Sequence, residues 1–390
     1  MQKKRILALF LAAASCLSLA VSASAAGATT RKAADFKDYD RTAWYAEAVS
    51  AAVDNGLLYG KSSTILDPNG DMTRAEMAAI INRSFGCYKT ADISQYKDVS
   101  KNKWYFDDIA MASQMGTYVG RSSSAMAPDS PISRQEAMTV VARALELDYD
   151  AYAKTDLTAF SDRGEISNWA LTYVRAMVGA DYIHGRGKVL APQDNISRAE
   201  FAQIFANIIG SYITVKGTYD KDIKGSVLVR TDDVILKDMT VDGDLIIGCG
   251  AADGKIVLDN VTIKGRLLTW GGGTKAVYCN NGTNMPAVVV ARVDDAVKVI
   301  YDRDSTLAVI DTIKVRITER AKQHKETEVI FYDVSGLREA QKDLNAIVAD
   351  SQLSVVAPAH LYAIVGEQSV KAEFTNNSKS DTYKVEIRRN

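Results

Sequence analysis

Histidine is nearly absent from this chain of 390 residues. His184, His324 and His360 are its three copies, and no two stand at the short spacings that bind a metal. No nucleophile elbow is present either. Cysteine is sparse: Cys16, Cys87, Cys249 and Cys279 do not make a disulfide framework. Cys249 and Cys279 could pair, although small buried residues are the simpler reading. An excess of charge is missing too. The formal net charge of −1 lacks the basic footprint of a nucleic-acid binder. Beyond the N-terminus no run approaches the roughly 20 apolar residues of a membrane span. These absences point away from a metalloenzyme, a nucleic-acid partner and a stable membrane span. No metal, no cofactor and no catalytic residue is expected.

The N-terminus has its own character. Lys3, Lys4 and Arg5 precede an apolar run from Ile6 to Leu19, and Ala23-Ser24-Ala25 fits a small-residue cleavage site. Residues 1–25 are expected to be a signal peptide. Its removal takes away three positive charges, so the net charge becomes −4. Cys16 is a poor lipoprotein site, because the apolar segment before it is brief. The remaining length suggests two or three domains.

Self-comparison finds three repeats. Phe36, Tyr96 and Phe160 are spaced by 60 and 64 residues, as are Asp38, Asp98 and Asp162, then Pro68, Pro128 and Pro192, then Arg74, Arg134 and Arg198. Trp44, Trp104 and Trp169 follow at 60 and 65. Three of the four tryptophans and three of the six prolines fall in this pattern, which excludes coincidence. Each copy reads as an aromatic-x-Asp opening, a Trp, an Ala-rich helix, a loop glycine (Gly60, Gly120 or Gly185) and a Pro. A second amphipathic helix follows, its apolar positions spaced by three and four.

The second helix opens with Thr73-Arg74-Ala75-Glu76, Ser133-Arg134-Gln135-Glu136 or Ser197-Arg198-Ala199-Glu200. Thr or Ser at the N-cap with Glu three residues on is a capping box, which satisfies orphan N–H groups reciprocally. The arginines need another reason, because the helix macrodipole disfavours a cation in the first turn. Two readings stay open: a guanidinium at a helix N-terminus that grips a ligand carboxylate, or a structural ion pair with the repeated Asp. The tryptophans are either packing anchors between repeats or platforms for a sugar face. The glycines serve tight turns or let backbone N–H groups approach a ligand.

Taken together, F-x-D, W, the Ala-rich helix, the loop glycine, P and T/S-R-A-E resemble the S-layer homology domain, over repeats at residues 34–87, 94–147 and 158–210. The resemblance implies an all-α, pseudo-threefold helical bundle with grooves between neighbouring repeats. It implies non-covalent binding of secondary cell-wall polysaccharide, often through an acidic, pyruvylated sugar, or of a peptidoglycan-linked glycan. In that reading Arg74, Arg134 and Arg198 meet the carboxylate, Trp44, Trp104 and Trp169 line the grooves, and Gly60, Gly120 and Gly185 lie beside the sugar. Gln135 in the second copy and the short, basic Gly185-Arg186-Gly187-Lys188 loop in the third depart from the pattern, so the three grooves need not be equal.

After Ile209 β-branched residues, alternation and glycine turns take over. Ile223-Lys224-Gly225-Ser226-Val227-Leu228, Val241-Asp242-Gly243-Asp244-Leu245-Ile246 and Ile263-Lys264-Gly265-Arg266-Leu267-Leu268 are alike, at spacings of 18 and 22. One turn glycine per coil predicts a short parallel β-solenoid over residues 213–286. Gly271-Gly272-Gly273 is no phosphate loop, since no Gly-Lys-Ser/Thr follows. The repeat fades from 287, and residues 287–390 read as a β-rich C-terminal region, with strands at Val288–Val290, Val329–Phe331 and Tyr383–Ile387 and one helix near Leu337–Val348. Asp232-Asp233 and Asp302-Arg303-Asp304 could bind a cation or act as a carboxylate pair, but acidic pairs in solvated turns are far commoner. The expected protein is multidomain, secreted and held on the bacterial cell wall, with no enzymatic role. The alternatives are an S-layer lattice subunit and an anchored carbohydrate-active enzyme.

Overall fold

The computed structural model describes residues 31–272, 275–302, 304–305, 314–318, 320, 327–331, 359–365, 368–376 and 383–389. The expected signal peptide and the helix expected near 337–348 lie outside them.

Among the described residues six α-helices, two per repeat, form the N-terminal part: α1 (Ala46–Asp54), α2 (Arg74–Phe85), α3 (Phe106–Gln114), α4 (Arg134–Ala144), α5 (Leu171–Gly179) and α6 (Arg198–Ile208). The first helix of each repeat is short and follows its Trp within three residues. The second begins at a capping box: Thr73 Oγ1 accepts from Glu76 N at 3.2 Å while the Glu76 carboxylate accepts from Thr73 N at 2.9 Å. Ser133 with Glu136 and Ser197 with Glu200 repeat this geometry. α2 ends at Gly86, whose φ of +66° is the left-handed cap that glycine adopts without strain.

The repeats close into a ring. α2 packs on α3, α4 on α5, and α6 returns to α1. Three backbone bonds lock the centre: Ile132 N donates to Met72 O, Ile196 N to Ile132 O and Met72 N to Ile196 O, each at 3.0 Å. Around them the amides left without an intrahelical partner at each second helix's start are satisfied by the next repeat. Ala75 N donates to Pro128 O, Gln135 N to Pro192 O and Ala199 N to Pro68 O. The repeated prolines therefore mark the turns that cap a neighbour's helix.

From Ile209 the chain winds into a parallel β-solenoid. Its strands are β1 (Ile209–Ile213), β2 (Gly217–Tyr219), β3 (Ser226–Val229), β4 (Val234–Val241), β5 (Leu245–Ile247), β6 (Ile256–Ile263), β7 (Arg266–Thr269), β8 (Val277–Asn280), β9 (Ala287–Val290), β10 (Lys298–Tyr301), β11 (Lys314–Ile317), β12 (Thr327–Phe331), β13 (Ala359–Val365), β14 (Gln368–Asn376) and β15 (Tyr383–Arg389). One sheet runs β1-β3-β5-β7-β9-β11, all parallel. The other stacks β2, β4, β6, β8, β10, β12 and β13 in parallel and ends on antiparallel β14 and β15. Val227 pairs with Leu245 and Leu245 with Leu267, which are the 18- and 22-residue spacings of the sequence repeat. The winding does not stop at 286. Leu267 pairs with Val288 in the next coil, where Pro286 stands in place of the turn glycine. The repeat fades because its marker residue changes while its register persists.

From β3 to β9 the first sheet is buried on both faces, which explains its apolar runs. Val227, Val229, Leu245, Ile247, Leu267 and Val288 point into the solenoid. Leu228, Ile246, Leu268 and Val289 point out and join the core of the helical ring. Arginines from the solenoid finish the helix ends. Arg230 donates to Arg83 O at 2.6 Å and Asn55 O at 2.9 Å, and Arg266 to Glu146 O at 2.8 Å and Leu145 O at 3.1 Å. Trp270 Nε1 donates to Ala144 O at 2.9 Å, its ring edge-on to Phe85. Cations here meet the negative ends of helices. The ring and the solenoid are thus one packed body at this seam.

Candidate functional site

The solenoid covers helix C-termini, and the repeated arginines sit at the opposite, N-terminal ends of α2, α4 and α6. All three are buried. Arg74 reaches into the second repeat: Nε donates to Met126 O, Nη1 to Glu136 Oε1 and Nη2 to Val119 O, each at 2.9 Å. Arg198 closes the ring on the first repeat through Leu66 O, Glu76 Oε1 and Tyr59 O. Arg134 donates to Leu190 O at 2.8 Å and Glu200 Oε1 at 2.9 Å, and among the described residues lacks the third bond. The partner is therefore the capping glutamate of the next repeat, not the repeated Asp. Asp38 instead accepts from Leu66 N and Asp67 N, Asp98 from Met126 N and Ala127 N, and Asp162 from Leu190 N and Ala191 N.

Each glutamate carries a second, exposed cation. Arg121 lies 3.3 Å from Glu136, Arg186 lies 2.6 Å from Glu200, and Lys61 lies 2.6 Å from Glu76. These three follow the loop glycines and repeat at 60 and 65, the tryptophans' own spacing; that signal was available in the sequence. Burial alone would raise the Glu136 carboxyl. The Ser133 amide, Arg74 and Arg121 outweigh it and hold the group below the usual carboxylate range. Glu76 and Glu200 behave alike: burial is opposed by Lys61, the Thr73 amide and Arg198 in one, and by Arg186, the Ser197 amide and Arg134 in the other. Burial lowers the Arg134 and Arg198 guanidinium values, against the pull of Glu200 and Glu76.

The loop glycines have a packing reason. A Cβ on Gly60 would stand 2.3 Å from the Phe36 ring, on Gly120 2.5 Å from the Tyr96 ring and on Gly185 2.7 Å from the Phe160 ring. The repeated aromatic and the repeated glycine are thus two halves of one contact. The tryptophans are the opposite case. Trp44, Trp104 and Trp169 are 63%, 61% and 52% exposed, so they are not anchors buried between repeats.

These residues meet in grooves drawn from all three repeats. One groove of about 340 Å³ joins Arg74 of the first repeat, Gly120, Arg121 and Glu136 of the second, and Trp169 of the third, with Arg143 and Tyr118 in its wall. A second, of about 380 Å³, joins Arg134, then Gly185, Arg186 and Glu200, then Trp44. The ring order assigns Arg198, Gly60 and Trp104 to the third position. The grooves are unequal in charge. The first sets three guanidiniums against one carboxylate. In the second, Arg186 also pairs with Asp194 at 2.8 Å, and Asn207 stands where the first has Arg143. Of the acidic residues weighed as cation sites, Asp232 and Asp233 both bridge Lys216, and Asp302 accepts from Asn281 N and Ser305 N. Among the described residues no group of three or more His, Cys, Asp or Glu could hold a metal ion. None of the described helices is long and apolar enough to cross a membrane.

A closed ring of helical repeats, continued by a parallel β-solenoid, defines a repeat-built protein of two parts. The ring consists of three tandem S-layer homology domains: residues 35–78, 95–138 and 159–202 each match that domain. The chain is 31% identical over 236 residues to the surface-layer 125 kDa protein of Lysinibacillus sphaericus, a match covering 59% of this chain and 19% of that protein. It is 24% identical over 234 residues to the S-layer protein sap of Bacillus anthracis, covering 60% and 27%. It is 28% identical over 181 residues to an amylopullulanase of Thermoanaerobacterium thermosulfurigenes, covering 44% and 10%. The matches thus span about a tenth to a quarter of these relatives' length. The domains and the surface-layer relatives mark a secreted protein of the cell surface and support a general role in anchoring at the cell wall.

Proposed function

We propose that the three S-layer homology domains hold this protein on the bacterial wall by binding secondary cell-wall polysaccharide, through an acidic, pyruvylated sugar, and that the ring displays the solenoid without catalysing a reaction. One observation carries the reading: the groove between Arg74 and Trp169 sets three guanidiniums against a single carboxylate beside a half-exposed indole. A surplus cation attracts a carboxylate, and the indole offers an apolar face to a sugar ring. Arg74, Arg134 and Arg198 act here from beneath, their charge shared with Glu136, Glu200 and Glu76. Lys61, Arg121 and Arg186, paired with the same glutamates, are the exposed cations on the groove side. The test is co-sedimentation of the full chain with purified walls. Binding should vanish when the secondary polysaccharide is stripped, and binding to stripped walls would refute the reading. Incubation with wall glycans should release no fragments.

A second reading, a lattice-forming envelope subunit, is favoured by the likeness to two S-layer proteins. Ordered two-dimensional arrays of the purified chain under electron microscopy would support it, and monodisperse monomers would oppose it.

A further inference from the structure

We propose that Cys87 and Cys249 form a disulfide that staples the helical ring to the solenoid. Cys87 follows the Gly86 cap of α2, and Cys249 sits in the turn after β5. Their sulfurs lie 3.1 Å apart across the seam, although 162 residues separate them in sequence. Glycines flank both cysteines and draw the two backbones together. A Cβ on Gly86 would stand 2.9 Å from Gly250 Cα, and one on Gly248 would stand 2.5 Å from Phe85 O. Such close backbones supply the short Cα separation a disulfide requires, and a small rotation of either side chain closes the sulfurs to the bonded distance of about 2.05 Å. Among the described residues no other cysteine competes. Cys279, the partner considered for Cys249 from sequence, is fully buried inside the solenoid.

The pair is built for structure and not for catalysis. The hydrogen bond to Cys249, with burial, holds the Cys87 thiol well above the ordinary thiol range, so Cys87 in the folded protein is a poor nucleophile. Oxidation therefore belongs to folding outside the cell, where disulfides persist. The oxidant is a disulfide-bearing compound or thiol oxidoreductase. One cysteine thiolate attacks that disulfide and expels a thiol. The second cysteine resolves the mixed disulfide and expels the other. Two protein thiols become one disulfide, and the oxidant's disulfide becomes two thiols. Bonding here ties the first repeat to the third solenoid coil, the one that carries β5, so that the wall-facing ring and the displayed module move as one.

The experiment uses the full chain, unfolded under reductant and refolded in a glutathione redox buffer. Free thiols are alkylated in denaturant and the digest is read by mass spectrometry. The expected result is a peptide pair linked through Cys87 and Cys249, with Cys279 alkylated. In parallel, reductant should lower the thermal midpoint of the oxidised protein by about 5–15 °C and leave the Cys87→Ser/Cys249→Ser variant unmoved. Alkylation of both Cys87 and Cys249, or a link to Cys279, would overturn the proposal. So would retention of one soft metal ion by the unlinked pair together with Met115, whose sulfur lies 3.8 Å from that of Cys87.

Discussion

Arg74 of the first repeat and Glu136 of the second meet at 2.9 Å, with 5% and 17% of their side chains exposed. Glu136 at the same time closes the capping box of its own helix through the Ser133 amide. One carboxylate thus caps a helix, receives the neighbouring repeat's arginine and pairs with the exposed Arg121 of the groove. Arg134 with Glu200 and Arg198 with Glu76 repeat the arrangement around the ring. Fold and groove are built from the same ions.

Removing a buried arginine should therefore unfold the ring before it tests binding. Arg74→Ala leaves Glu136 without its buried partner and should cost about 3–5 kcal/mol of stability in denaturant melts followed by circular dichroism. Arg121→Ala, on the solvent side of the same carboxylate, should cost about 1 kcal/mol or less.

Acid should act through the same groups. The Glu76, Glu136 and Glu200 carboxyls are depressed in the fold. The unfolded chain then binds protons more readily, and stability is lost as pH falls below the unfolded value of about 4.3 and through the lower folded values. Thermal midpoints measured from neutral pH downward should be level and then drop in that window. The drop should be shallower in Glu136→Gln.

The capping boxes were legible in the sequence because Thr73 and Glu76 are three residues apart, and local spacing is what a sequence displays. The arginine partners were not, because Arg74 finds Glu136 only after the ring closes; the repeated Asp38 looked suitable and proved to hold backbone amides. The solenoid was legible through Gly225, Gly243 and Gly265, and it faded at Pro286 although its register continued. The seam left no local mark. Trp270, Arg230 and Arg266 look like ordinary solenoid residues until helix ends arrive to meet them.

That seam makes the ring dependent on the solenoid. A fragment ending at residue 212 would expose the apolar face that Leu228, Ile246 and Leu268 cover, and would leave the Ala144 and Leu145 carbonyls unpaired. Its thermal midpoint should fall below that of the ring in the full chain. In the full chain, Trp270→Ala should cost about 3–5 kcal/mol.

Acid recognition should be concentrated in the first groove. Arg121→Ala with Arg143→Ala should weaken binding of an acid-substituted wall oligosaccharide there by roughly tenfold or more, since a charge-assisted contact contributes about 1.5–3 kcal/mol. Binding of the same oligosaccharide without its carboxylate should be weak in both proteins and differ little between them. Calorimetric titration reads both.

The most direct test replaces the three exposed indoles and leaves every ion in place. Trp44→Ala/Trp104→Ala/Trp169→Ala in the full chain should keep the circular dichroism spectrum and melting temperature of the parent, because these side chains are largely outside the core. Its affinity for purified, polysaccharide-bearing walls should fall by roughly tenfold or more, as three stacking contacts are lost together. A folded triple variant that binds those walls as tightly as the parent would contradict the assignment of the grooves as the wall-binding site.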